Sequence, residues 1–225
     1  MIKDASVLTA LSLYHRRDEE FQDEVIAYYS RPPGIWSFDP LFTYVECLFR
    51  GMSPDVLLRQ LDQKYHTRPQ WKPYRCRLIE IVKWKKSLDV RASYAFSLSS
   101  VLSGQTKFKF PKSLVYIIGD QAFLLVPYYL KDSGIFGYRE NLLFGLLRDQ
   151  LSSKVEGDGL TSSFLRFYDG RIMVSSSESA EVASRDEVNS MLVSFGKVYA
   201  NVSRISQPTN KSKSPTKDSQ LSLAL

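Results

Sequence analysis

Residues 114–129 read LVYIIGDQAFLLVPYY. Two apolar segments, 114–118 and 122–129, flank the turn residues Gly119-Asp120-Gln121. β-Branched and aromatic residues favour strands, and a short glycine-containing segment between two such runs is typical of a β-hairpin. The stretch therefore predicts two antiparallel strands, and with them a sheet in the second half of the chain.

Further elements of a sheet-and-helix region follow this stretch. Residues 164–168 and 171–175 flank Asp169-Gly170, which predicts a second hairpin. Leucines at helical spacing predict an amphipathic helix over 138–153, and a final helix is predicted from Asp186 to about Val202.

Before residue 90 the pattern is helical. One helix is predicted over residues 4–29. Asp39-Pro40 and Ser53-Pro54 each place a capping residue before a proline, which is typical of a helix start. These signals predict one helix that starts at Asp39-Pro40 and runs to Phe49, and a second helix over residues 54–64. A further helix is predicted over residues 74–88.

We therefore expect an α+β fold with three regions. Residues 1–90 form a helical, basic region with a possible helix-turn-helix, and residues 91–204 form a small mixed sheet with two packing helices. Residues 205–225 contain mostly Ser, Thr, Lys, Pro, Asn and Gln, a composition that predicts a disordered tail.

Composition and charge limit the class of protein. The chain has 225 residues and a net charge of +6, which permits a polyanionic partner. Its two cysteines, Cys47 and Cys76, have no metal-ligand spacing, and we expect buried free thiols. We find no secretory signal and no apolar run long enough to cross a membrane, so we expect a cytoplasmic protein without a membrane partner.

The tail ends in an unusual peptide, since residues 220–225 read QLSLAL. This peptide resembles the six-residue motif by which many bacterial replication and repair proteins dock onto the β sliding clamp. The resemblance implies that Gln220 makes polar contacts with the clamp and that Leu221, Leu223 and Leu225 enter its hydrophobic cleft. Ser222 matches a favoured middle position. Two alternatives stay open: a short strand or cap on the folded body, and a degradation signal or other recognition peptide.

Residues 49–61 resemble the turn and second helix of helix-turn-helix proteins. The resemblance implies a left-handed Gly51, an apolar Met52 after it and a capping Ser53. Leu57 and Leu61 would pack inward, while the polar residues of the second helix would face outward and could read base edges. The alternative is an ordinary pair of antiparallel helices.

A basic segment follows the turn. Between Leu57 and Arg91 there are ten positively charged and three negatively charged residues, an excess larger than the net charge of the whole chain. Tyr65, Trp71, Tyr74 and Trp84 are interleaved with these charges, a composition that suits phosphate contact and base stacking. The alternative is a solvated helix face whose aromatic residues belong to the core. The candidate DNA-binding residues are Arg59, Gln60, Gln63, Lys64, Arg68, Trp71, Lys72, Arg75, Arg77, Lys83, Lys85 and Lys86.

The sequence offers little sign of catalysis. It has two distant histidines and no glycine-rich phosphate loop, and we assign no catalytic residue, metal ligand or cofactor. A metal-dependent nuclease site would have to be assembled from acidic residues such as Asp120, Glu140, Asp149, Glu156 and Asp158. Whether the protein is an enzyme stays uncertain, and we favour a protein that is not one.

Three functional hypotheses result. In the first, the protein docks on the bacterial β sliding clamp at the replication fork, in the nucleoid, and its basic region contacts DNA. It would then be a replication or repair factor, a mobile-element protein, or an inhibitor that occupies the clamp. The second is a helix-turn-helix transcription regulator with an α+β dimerisation or ligand domain. The third is a nuclease tethered to the clamp.

Overall fold

A computed structural model describes residues 3–14, 18–30, 38–131, 135–152 and 160–205 of the chain. The fold is α+β, as the sequence predicts. Its helices are α1 (Val7–Leu13), α2 (Asp18–Ser30), α3 (Asp39–Phe49), α4 (Pro54–Tyr65), α5 (Trp71–Lys86), α6 (Tyr138–Leu151) and α7 (Arg185–Ile205). Its strands are β1 (Lys3–Ser6), β2 (Val90–Phe96), β3 (Val101–Ser103), β4 (Thr106–Lys109), β5 (Ser113–Ile118), β6 (Gln121–Lys131), β7 (Leu160–Tyr168) and β8 (Arg171–Ser176).

The larger sheet has five strands in the order β2-β5-β6-β7-β8. Both predicted hairpins are confirmed: β5 pairs antiparallel with β6, and β7 pairs antiparallel with β8. Asp169 and Gly170, which join β7 to β8, both have positive φ, as a tight two-residue hairpin turn requires. Strand β6 pairs parallel with β7, and α6 lies in the connection between them.

The smaller sheet corrects the sequence prediction for the start of the chain. Residues 4–29 do not form one helix, because β1 occupies Lys3–Ser6 and pairs parallel with β4. Ser6 then caps α1, since its Oγ accepts a hydrogen bond from the backbone N–H of Thr9 at 3.4 Å. The pairing joins residues about a hundred positions apart, so no local periodicity could reveal it.

The five-stranded sheet lies between two hydrophobic clusters. Leu114 and Tyr116 face a cluster built with α3, α4 and α5, whereas Val115 faces a cluster built with α1, α2, α6 and α7. Because alternate side chains of β5 meet opposite clusters, this strand is apolar at almost every position. Each cluster combines residues from before and after residue 90, so the helical region and the sheet share their cores.

Of the two expected helix caps, one lies at a different residue, and the other lies at the predicted residue without the side-chain hydrogen bond. Phe38, not Asp39, is the N-cap of α3, and Asp39 lies in its first turn. Ser53 is the N-cap of α4, but its side chain makes no capping hydrogen bond. A proline follows within two residues of each N-cap and itself sets the helical φ angle of the first turn. Within the described ranges, no helix is both long and apolar enough to cross a membrane.

Candidate nucleic-acid interface

The connection between α3 and α4 is a tight, well-defined turn. The N–H of Met52 donates to the Cys47 carbonyl at 3.0 Å, and the N–H of Gly51 donates to the Leu48 carbonyl at 3.1 Å. These two bonds form a Schellman motif, which needs a left-handed residue, and Gly51 has φ of 94°. The predicted left-handed glycine is therefore confirmed.

The inward face of α4 also agrees with the prediction. Leu57 and Leu61 are fully buried in the cluster that α4 shares with α3 and α5. Met52 is exposed at the turn, and Cys47 is half-buried behind it. The other cysteine, Cys76, is exposed, which contradicts the expected buried thiol because its position on α5 faces away from both cores.

The outward face of α4 carries four of the candidate DNA-binding residues. Arg59, Gln60, Gln63 and Lys64 are all exposed on this face. The Arg59 guanidinium donates to the Asp55 carbonyl one turn earlier at 3.3 Å, which directs it along the helix. Guanidinium and amide groups at these positions can donate to phosphates or to base edges.

Asp62 joins α4 to the start of α5. Its Oδ1 accepts a hydrogen bond from the Trp71 indole N–H at 2.6 Å and lies 3.3 Å from Nε of Arg75. The guanidinium carbon of Arg68 lies 5.6 Å from the centre of the Tyr65 ring. Lys72, at the start of α5, is exposed. Trp71 and Arg75 therefore hold two helices together, and only part of each side chain faces solvent.

Arg77 has a role in the protein interior. Its Nε donates to the Tyr129 carbonyl at 3.0 Å, and its guanidinium lies 4.9 Å from the centre of the Phe167 ring. Tyr129 and Phe167 lie on neighbouring strands β6 and β7. This arginine therefore fastens α5 to the sheet, a role that the sequence prediction missed.

The lysines at the end of α5 lie beside the beginning of α4. Lys85 and Lys86 line a shallow cavity of about 270 Å³ together with Gly51, Ser53 and Pro54. Lys83 is exposed and forms an ion pair with Glu80 at 2.6 Å. The N-terminus of a helix carries a partial positive charge, but the first turn of α4 also carries the exposed carboxylate of Asp55. The positive charge beside the start of α4 therefore comes from the two lysines. The sequence gives no spacing signal for this proximity.

Two of the interleaved aromatic residues belong to the core. Tyr65 and Tyr74 are buried and meet edge to face, with ring centres 5.2 Å apart. Burial raises the pKa of Tyr74 to about 12. Trp84 is half-buried against Phe49 and Tyr116. For Tyr65 and Tyr74 the structure thus supports the alternative of core packing over base stacking.

The residues predicted to bind the clamp lie outside the described residues. These are Gln220, Leu221, Ser222, Leu223 and Leu225, together with the rest of the predicted tail from residue 206. The last described element is α7.

The acidic residues considered for a nuclease do not come together. Glu140 pairs with Arg166, Asp149 with Arg148 and Arg185, and Asp120 with Arg91, while Glu156 and Asp158 lie outside the described residues. Within the described ranges, no group of three or more His, Cys, Asp or Glu side chains could hold a metal ion.

The pair of Glu140 and Arg166 belongs to a buried polar cluster that the sequence analysis missed. Nη1 of Arg166 donates to Oε1 of Glu140 at 2.6 Å and to Oγ of Ser175 at 2.9 Å. The hydroxyl of Ser175 donates to the same Glu140 oxygen. The Arg166 guanidinium also lies 4.6 Å from the centre of the Phe136 ring. The cluster joins α6 to β7 and β8.

Comparison with known proteins does not assign the chain to a family. No family model matches the chain, and no curated protein matches it. A crystal structure of SSO0001 is similar over 80% of this chain and 85% of that one, with 11% sequence identity and a TM-score of 0.32. A similarity at this level supports no conclusion about fold or function.

Proposed function

We propose that the protein is recruited to the bacterial β sliding clamp through residues 220–225 and contacts DNA through α4 and the end of α5. The observation that carries the proposal is the peptide Gln220-Leu221-Ser222-Leu223-Ala224-Leu225, which fits the six-residue clamp-binding pattern at every fixed position. The proposed partners would place the protein in the bacterial cytoplasm, at the replication fork.

The clamp contact is proposed to follow the chemistry of the motif. The Gln220 amide makes hydrogen bonds, while the three leucines remove apolar surface from water in a preformed cleft. A short peptide that becomes ordered on binding loses conformational entropy, so the affinity of this contact alone is modest. A second contact with DNA that passes through the clamp would raise the occupancy by increasing the effective concentration.

The described basic residues supply that second contact in this proposal. Arg59, Gln60, Gln63 and Lys64 face solvent on α4, and Lys85 and Lys86 lie beside its first turn. Phosphate contacts from these groups would be independent of DNA sequence and sensitive to salt. Arg77, which is bonded to the sheet, takes no part in the proposed surface.

The clamp contact is tested by direct binding to purified β clamp. The full chain should bind, whereas the chain without residues 220–225 and the double variant Gln220→Ala with Leu223→Ala should not. Ala224→Ser changes only the spacer position and should bind like the full chain. Equal binding by all four proteins, or by none, would contradict the proposal.

The DNA contact is tested by reversing charge in two places. Lys85→Glu with Lys86→Glu should weaken binding to duplex DNA and reduce the slope of log affinity against log salt by about 0.9 for each phosphate that is no longer neutralised. Lys107→Glu with Lys112→Glu makes the same charge change at exposed positions elsewhere and serves as the control. If both double variants weaken binding equally, DNA is attracted by net charge in general and not by the proposed surface.

The geometry of α3, the turn and α4 also favours the second hypothesis, a transcription regulator. The Schellman turn at Gly51 and the buried Leu57 and Leu61 are compatible with a helix-turn-helix. Selection of bound sequences from random duplexes separates the two functions. A regulator would enrich a defined site, whereas the proposed clamp-associated protein would enrich none.

A further inference from the structure

β8 is an edge strand with little protection against pairing. Among the described residues it pairs only with β7, and it ends the five-stranded sheet. Natural edge strands are usually protected by a bulge, a proline or several charges. The opposite edge, β2, has an irregularity between Val90 and Ala92, with Arg91 at this position. β8 instead exposes Met173 and Val174 by 41% and 39%.

The hydrogen bonds to β7 determine which backbone groups of β8 face outward. The Ser177 N–H donates to the Ser162 carbonyl at 2.9 Å, so these residues form a hydrogen-bonded pair of the antiparallel ladder. Such pairs recur at every second residue. Arg171, Met173 and Ser175 therefore direct their backbone groups to β7, while the residues between them direct theirs outward.

Two residues present both of their backbone groups outward, and Ser176 presents only its N–H. The Ser176 carbonyl already accepts hydrogen bonds from the N–H and the hydroxyl of Ser179, both at 3.1 Å. Ile172 and Val174 therefore offer one N–H and one carbonyl each. A strand that added to this edge would have to bond to these four groups.

We propose that this edge pairs with the β8 strand of a second copy, antiparallel, about a twofold axis at Met173. Ile172 then faces Val174 of the second copy, and Val174 faces Ile172 of the second copy. The four outward-facing groups of Ile172 and Val174 in one copy bond to the same four in the other. The two five-stranded sheets become one continuous sheet across the axis.

The side chains of β8 match this arrangement. Residues directly opposite each other in an antiparallel pair point to the same face, so the two Met173 side chains meet at the axis. Arg166 pairs with Met173 across β7 and β8, which places Met173 on the face that also carries Tyr168. Tyr168 and Phe136 are exposed there and meet edge to face, with ring centres 5.7 Å apart. Pairing would cover apolar surface beside these rings.

Charge complementarity favours a second copy over another strand. In this register Arg171 lies opposite Ser175 of the second copy, whose hydroxyl donates to the Glu140 carboxylate. The hydrogen bonds described for that carboxylate use Oε1, which leaves Oε2 to accept from a further donor. Arg171 is exposed and has a side chain long enough to be that donor. Because the dimer is twofold symmetric, this contact between Arg171 and Glu140 forms twice.

The oligomeric state tests the proposal. Light scattering after size exclusion, over a range of concentrations, should give twice the 25.8 kDa chain mass. Val174→Lys should give a monomer, because it places a charge on the edge. Val193→Lys on α7, where the native valine is 44% exposed, should leave the dimer intact. Arg171→Glu should weaken the dimer without altering the apolar surface. Arg171→Lys keeps the positive charge and should weaken the dimer less than Arg171→Glu does.

Cross-linking tests the register. Met173→Cys in a Cys76→Ser background should form a disulfide between copies, because Cα atoms of a non-hydrogen-bonded pair lie about 4.5 Å apart, within disulfide range. Ala95→Cys on the opposite edge, β2, is the control and should not cross-link. A dimer that cross-links through Val174→Cys but not through Met173→Cys would overturn the proposed register.

Other occupants of the edge would give different results. A wild-type chain that stays monomeric at every concentration would overturn the proposal. A dimer that disappears when residues 220–225 are removed would also overturn it, because the tail would then form the interface. Loss of the dimer in both Val174→Lys and Val193→Lys would show an interface elsewhere. None of these measurements depends on the clamp or on DNA.

Discussion

Arg77 shows how a basic side chain can serve the interior of a protein in a chain segment rich in positive charge. Its guanidinium donates to the Tyr129 carbonyl and covers the Phe167 ring, so both its polar and its flat surfaces have partners. Lys72, one turn and a half earlier on α5, is exposed. Two basic residues of the same helix therefore have different physical roles.

This difference leads to a prediction for stability. Arg77→Ala should lower the free energy of unfolding by about 1–3 kcal/mol, because the carbonyl of the buried Tyr129 loses a charged donor. Lys72→Ala should change it by less than about 0.5 kcal/mol, as is usual at exposed positions. Urea denaturation of both variants measures the difference. If Arg77→Ala kept full stability and reduced DNA affinity, Arg77 would be a phosphate contact after all.

Asp62 has a similar role between helices. One carboxylate oxygen receives the Trp71 indole N–H and lies close to Arg75, and so orients two of the candidate DNA-binding side chains. The contact explains why charge density alone is a poor guide to a binding surface. A charged side chain that bonds to an opposite charge or to a carbonyl of the protein is less available to bind DNA.

At the scale of elements, the turn between α3 and α4 is closed by two backbone hydrogen bonds. Its geometry depends on Gly51, which closes α3 in a left-handed conformation and lets α4 start at Pro54. The turn brings the start of α4 beside Lys85 and Lys86. The shape of the proposed DNA surface therefore depends on one glycine.

Replacement of this glycine gives a second stability prediction. A Cβ at Gly51 would meet no atom within 4 Å, so the cost of Gly51→Ala arises from the positive φ alone. We expect the free energy of unfolding to fall by about 1–2 kcal/mol. Gly196→Ala on α7 is the matched control, because its Cβ would lie at an ordinary 3.5 Å from the nearest atoms and its φ is not positive. It should stabilise the protein by about 0.4–1 kcal/mol.

Thermal or urea unfolding of the two alanine variants measures these opposite shifts. A Gly51→Ala variant as stable as the wild type would mean that the turn can adopt another conformation. The proposed surface at the start of α4 would then lose its structural basis.

At the scale of the whole molecule, the five-stranded sheet separates two cores that contain several buried tyrosines. Burial raises the pKa of Tyr74 to about 12, and burial likewise raises the pKa of Tyr128 to about 12, although a hydrogen bond with Ser12 opposes that shift. Tyr74 belongs to the core of α3, α4 and α5, and Tyr128 packs against the other core. Both cores therefore favour the neutral phenol.

These shifts predict how stability depends on alkaline pH. The unfolded chain ionises its tyrosines near 10.0, whereas the folded protein keeps Tyr74 neutral until about 12. The contribution of Tyr74 is therefore fully present below pH 10 and is lost as the pH rises from 10 towards 12. Tyr74→Phe should flatten the decline of the unfolding free energy over this range. Tyr94→Phe removes a tyrosine at an exposed position and serves as the matched control. Urea denaturation at several pH values measures both.

Many elements could be predicted from local patterns. The hairpins around Gly119 and Asp169 were predictable because the apolar and aromatic segments and the turn residues between them lie within about fifteen positions of each other. The helices that begin near Pro40 and Pro54 were predictable because proline sets the first helical φ. The strand at Lys3–Ser6 was not, because its partner β4 lies about a hundred residues later.

The candidate site was predictable only in part. Composition identified the basic segment, and Gly51 identified the turn. Composition could not show that Arg77 bonds to the sheet, because its partner Tyr129 lies 52 residues later in the chain. Nor could composition show that Tyr65 and Tyr74 face the core and not solvent. The peptide at 220–225 stays a prediction from sequence, since it lies outside the described residues.

The sequence by itself determined the α+β class, the two hairpins and the helices from α3 to α7, because each depends on residues within a turn or two of one another. Only the tertiary structure decided that helices cover both faces of one sheet, and that β8 is left at its edge with Met173 and Val174 exposed. It also decided that Lys85 and Lys86 lie beside the start of α4. The physical reason is that packing and strand order are set by the burial of apolar surface between distant segments, which local patterns do not encode.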